Sequence, residues 1–102
     1  MPEWVKVAQV GDIPKGAIKV VKTKQQRLAL SNVNGNYFAI EDICTHDGGP
    51  LGEGQLEETY VECPRHGARF DVTTGQVVTL PAIIPVKTFP TKVVGKEIFV
   101  EV

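Results

Sequence analysis

Four residues hold nearly all the chemistry this chain can offer. Cys44-Thr45-His46 is followed, after the sixteen residues 47–62, by Cys63-Pro64-Arg65-His66. These are the only two cysteines and the only two histidines in 102 residues. One buried cysteine alone reads as a small core hydrophobe, and one histidine alone as a satisfied surface or core residue. Two short segments that each offer one thiolate and one imidazole read instead as a ligand set for metal. A closed zinc site also takes two Cys and two His, so ligand type leaves zinc open. Zinc pairs, however, usually set Cys with Cys and His with His, whereas each segment here mixes the two. Such mixing suits a two-iron cluster in which the thiolates of both segments bind one iron and the imidazoles of both bind the other.

Both segments must be placed by the elements around them. Short runs rich in Val, Ile, Thr and aromatic residues recur between Gly, Pro and Asn, and no window keeps apolar residues at helical spacing for three turns. The pattern predicts an all-β chain with strands over 4–10, 17–23, 27–33, 36–41, 59–62, 69–71, 76–80, 86–89, 91–94 and 97–102. Asn34-Gly35 is the signature of a type I′ turn, and Gly95-Lys96 predicts a second hairpin. Residues 42–54 hold four of the ten glycines and a proline, which predicts a shaped loop in which backbone approaches something closely. Residues 63–67 form a second, shorter loop, so the chemistry sits on two loops of a β scaffold.

The pattern Cys-x-His and Cys-x-x-His, with Gly67 after the second histidine, resembles the Rieske iron-sulfur proteins. Phe70-Asp71, Thr74-Gly75 and Leu80-Pro81-Ala82 extend the likeness. Within that family the chain is most similar to the small ferredoxins that serve bacterial aromatic ring-hydroxylating dioxygenases. The resemblance implies stacked antiparallel sheets with a cluster-binding tip made of two loops, and one [2Fe-2S] cluster held by Cys44, His46, Cys63 and His66. Respiratory and photosynthetic Rieske subunits carry two further cysteines that bridge the ligand loops. Gly49 and Arg65 stand at the matching positions, so no such bridge can form here. In the high-potential relatives a Ser and a Tyr donate hydrogen bonds to cluster sulfurs. Ala68 and Phe70 replace them, which implies a potential toward the low end of the Rieske range.

Two thiolates and two neutral imidazoles leave an oxidised two-iron cluster with no net charge, where four thiolates would leave it doubly negative, so it accepts an electron more readily. Beyond the four ligands no histidine remains to act as a general base, and the expected role is an electron carrier, not an enzyme. Its partners would be an NAD(P)H-dependent ferredoxin reductase and a terminal oxygenase. The alternatives are a small subunit of a nitrite-reductase-type complex and a zinc-binding structural module. Eleven basic against twelve acidic residues argue against nucleic acid and anionic membrane as partners. The N-terminus has no apolar signal region and the run 77–86 is too short to span a bilayer, so the expectation is one cytoplasmic domain over 1–102. Seven acidic residues and no basic one fall between Glu41 and Glu62, which raises a docking face for positive partners beside the plainer reading of a solvated loop.

Overall fold

The computed structural model describes residues 3–23, 26–43, 50–64, 67–79 and 84–102. Eleven strands form three antiparallel sheets, and there is no α-helix among the described residues. The strands are β1 (Trp4–Gln9), β2 (Ile18–Lys22), β3 (Arg27–Val33), β4 (Asn36–Glu41), β5 (Gln55–Glu57) and β6 (Tyr60–Glu62). They continue with β7 (Arg69–Asp71), β8 (Val77–Thr79), β9 (Thr88–Phe89), β10 (Thr91–Val94) and β11 (Glu97–Glu101). The sheet orders are β1-β11-β10, β2-β3-β4-β9 and β5-β6-β7-β8. The all-β expectation therefore holds.

The layering follows from the middle sheet. β3 reads Leu28-Ala29-Leu30-Ser31-Asn32 with all five residues buried, the pattern of a strand covered on both faces. Leu28 and Leu30 pack with Ala39, Ile98 and Val100, between the middle sheet and the sheet of both termini. Ala29 and Ile40 face the other way, into a second cluster with Leu51, Val61, Cys63, Ala68 and Phe70. Alternation along β3 and β4 thus feeds two separate cores. The hydroxyl of Thr91 donates to the Tyr37 C=O at 2.6 Å, which fastens β10 to β4.

Turn chemistry set the local geometry as expected. Asn34 and Gly35 have φ of 58° and 92°, the double positive of a type I′ turn, and β3 and β4 pair from Val33↔Asn36 to Leu28↔Glu41. Val94 faces Glu97 across the Gly95-Lys96 turn. Three details differ from the sequence expectation. Val10–Asp12 is a single 3-10 turn and not the end of β1, because the Asp12 carboxylate caps the Gln9 N–H at 2.9 Å and bends the chain. The expected strand 86–89 shortens to Thr88–Phe89, since Val86 gives its N–H to the Gly75 C=O instead. β5 falls between the expected loop 42–54 and the expected strand 59–62, where no strand is predicted; its three residues are strand because they pair with β6.

Candidate metal centre

Each loop springs from a strand end and is held there by local bonds. β6 delivers Cys63, and β7 begins at Arg69. The turn between them is closed by Cys63 N–H donating to the Ala68 C=O at 2.7 Å and Gly67 N–H donating to the Cys63 C=O at 3.1 Å. Cys63 is a free cysteine, 1% exposed, in one buried cluster with Leu51, Val61, Ala68 and Phe70. Of the four sequence-predicted ligands it is the one the described residues include. Cys44, His46 and His66 lie outside them, as do Pro81 and Ala82.

β4 leads into the first loop through Asp42 and Ile43, and the chain returns through the 3-10 turn Leu51–Glu53. Leu51 is fully buried in the same cluster as Cys63 and Ile40. The feet of the first loop and of the second therefore meet on one core, at one end of the molecule. The opposite end holds the Asn34-Gly35 turn and the β5-β6 turn.

Two carboxylates at this end pair with arginines. The buried Asp42 carboxylate lies 3.2 Å from Arg27, and Glu62, beside Cys63, lies 3.1 Å from Arg69 with both side chains about half exposed. Glu57 and Glu58 sit at the far turn of β5 and β6, about 16 Å of extended strand from Cys63. The acidic run is thus dispersed: two of its members are neutralised by arginines and two face the other end. Sequence reasoning points to Gly52 as a backbone N–H donor toward sulfur, but misses Asp42, which accepts that N–H and clasps the base of the first loop. The available signal was Asp42 at an inward position of β4's alternation, just ahead of Ile43.

A buried, unpaired thiol at the end of a strand, with backbone closing the turn behind it, fits the thiolate of a metal centre. The donor set of two thiols and two imidazoles on two loops with a common base fits a two-iron cluster with mixed ligands.

Comparisons with known proteins agree. The chain is 33% identical over 99 residues, 97% of its length and 95% of the relative's, to the ferredoxin component of the naphthalene 1,2-dioxygenase system of Pseudomonas aeruginosa. It is 41% identical over 93 residues, 90% of its length and 87% of the relative's, to the 3-phenylpropionate/cinnamic acid dioxygenase ferredoxin subunit of Shigella boydii. Among solved structures, a chain in the complex of reduced oxygenase and oxidized ferredoxin of carbazole 1,9a-dioxygenase superposes with a TM-score of 0.91 at 36% identity, covering 95% of this chain and 91% of that one. Residues 3–90 match the Rieske [2Fe-2S] domain, and with the thiol-imidazole pattern and the three-sheet fold this places the chain in the Rieske [2Fe-2S] family.

Proposed function

We propose that this chain is the ferredoxin component of a ring-hydroxylating dioxygenase system, taking single electrons from an NAD(P)H-dependent reductase and passing them to a terminal oxygenase. The observation that supports this most is the nearly end-to-end likeness to ferredoxin components, 97% of this chain against 95% of the naphthalene relative. The chain is a carrier in this reading and performs no substrate chemistry itself. It works as one domain over 1–102, in the cytoplasm; no helix among the described residues is long and apolar enough to cross a membrane.

When bound, the cluster supplies a one-electron couple. Cys44 and Cys63 would hold one iron and His46 and His66 the other. Cys63 is itself buried and packs with Val61, Ala68 and Phe70, which would keep water from the thiolate side. His46 and His66 would then be the outlet through which the electron leaves.

The test is direct. Purified protein should be coloured, hold about two irons and two acid-labile sulfides per chain, and reoxidise when mixed with an oxygenase of this class. A colourless, zinc-loaded product would sink the reading, and stable assembly with a nitrite-reductase large subunit would redirect it.

A further inference from the structure

Directly ahead of Cys44 the usual polarity is inverted: the Asp42 side chain is fully buried, whereas Ile43 is 39% exposed. A carboxylate is kept out of water only when something compensates it. Its Oδ1 accepts the Gly52 N–H at 2.6 Å. Its Oδ2 lies 3.2 Å from Arg27 Nη2, a Coulombic contact without hydrogen-bond geometry. The Asp42 N–H donates to the Arg27 C=O at 3.1 Å, so the residue is also held by the backbone of β3.

Gly52 belongs to the Leu51–Glu53 turn, which packs on β2 and β3. A Cβ there would lie 2.3 Å from Val20 Cγ2 and 3.0 Å from Asp42 Oδ1, so the backbone comes this close to β2 and the carboxylate only because the residue is glycine. Asp42 and Gly52 are ten residues apart, and Cys44 and His46 lie between them. One hydrogen bond therefore closes the first loop into a ring at its base, and the charge of Arg27 makes it tolerable to bury.

We propose that Asp42 is a positioning residue for the metal centre: by holding Gly52 N–H it fixes the span of the loop that bears Cys44 and His46, and so governs how long the cofactor is retained. This rests on the ligand assignment given above. The action is through the bond to Gly52, not through charge, so an acceptor of the same shape should substitute for the carboxylate.

The experiment compares cofactor-loaded parent, Asp42→Ala and Asp42→Asn. Bleaching of the visible absorbance in excess EDTA gives the loss rate, and amide hydrogen exchange by mass spectrometry reports on the peptides covering 43–53 and on those of β1, β3 and β11. Asp42→Ala should lose the cofactor about ten to a hundred times faster, the scale of leaving the Gly52 N–H without a partner. Faster exchange should be confined to 43–53. Asp42→Asn should stay within about threefold of the parent, since its amide oxygen can keep the Gly52 bond. If Asp42→Ala does not fold, Asp42→Ser takes its place: its side chain is one bond shorter than the carboxylate, so it should also lose the cofactor faster, and parent-like loss from it would overturn the proposal. Parent-like loss from Asp42→Ala, loss from Asp42→Asn beyond tenfold, or exchange rising equally in β1, β3 and β11 would each overturn the proposal. A wrong ligand assignment shows itself elsewhere, as a His46→Ala variant that keeps its visible spectrum.

Discussion

The two ends of the molecule solve the same problem with one buried polar side chain each. At the end away from the ligand loops, the Asn32 amide donates to the Ile13 C=O at 2.7 Å and accepts the Gly35 N–H at 2.8 Å. Its backbone exchanges bonds with Gly16 and Ala17 at 2.8 and 3.0 Å. A single residue thus stitches the segment before β2 to the β3-β4 turn. At the ligand end, Asp42 stitches the foot of one loop to its return. The first bracket spans three residues to Gly35, the second ten to Gly52. A tight turn has only to close on itself, whereas a ligand loop must close around something else. Hence the long ring, the glycine at its base and the carboxylate with a compensating arginine.

The contrast can be broken most forcefully at the ligands. Alanine at Cys44, His46, Cys63 or His66 should abolish cofactor incorporation, since three protein ligands leave an iron position open to water. Iron and sulfide analysis with the electron paramagnetic spectrum of the reduced protein checks this, and a normal spectrum from His46→Ala would refute the assignment. Asn32→Ala should do the reverse: it leaves a buried C=O and an N–H without partners, lowering stability by about 2–4 kcal/mol in denaturant titrations while any folded protein keeps a parental spectrum.

The two cores allow a matched pair. Leu28 and Leu51 are both fully buried, one in each cluster. Replacement by alanine should cost about 2–5 kcal/mol at either site. Only Leu51→Ala should also speed cofactor loss, because Leu51 shares its cluster with Cys63. Equal retention in both variants would show that the shared core does not support the loops.

A finer effect is expected at Ala68 and Phe70, where the family resemblance implies hydroxyl donors in high-potential relatives. Ala68→Ser with Phe70→Tyr should raise the midpoint potential by tens of millivolts to about 100 mV, taking about 1.4 kcal/mol as 59 mV for one electron. Both positions are 0% exposed, so a hydroxyl that finds no acceptor lowers stability instead. Voltammetry beside a thermal melt separates the outcomes: an unchanged potential with a lower Tm would dismiss hydrogen bonding at these sites. The smallest change belongs to the far end. Glu58 has a φ of 55°, and Glu58→Gly should relieve that conformation for a net gain below about 1 kcal/mol, with retention unaltered.

What the sequence disclosed, and what it hid, follows from the range of the forces involved. Asn34-Gly35 dictates its turn through the backbone freedom of two residues, so β3 and β4 were legible with their boundaries. The family was legible because the Cys-x-His and Cys-x-x-His pattern constrains residue type and spacing directly. β5 was not: Gln55-Leu56-Glu57 has one apolar residue, and its turn into β6 runs through Glu58-Thr59 with no Gly or Asn to announce it. Its strand character comes from pairing alone. Asp42 was hidden for the same reason, because its partners are ten and fifteen residues away in opposite directions. Nor does linear density of charge say which carboxylates meet an arginine once the chain folds, as Asp42 and Glu62 do.

The bond from Val86 N–H to the Gly75 C=O, 2.8 Å long, has a further consequence. Gly75, at a φ of 80°, sits in the β7-β8 turn, and a Cβ there would meet the Val86 C=O at 2.2 Å. Val86 is thereby bonded back to the turn from which β8 starts. The hairpin that delivers Cys63 is therefore tied, through the turn after β7, to the chain eleven residues beyond Gly75, so its register is set by a tertiary contact as well as by its strand pairing.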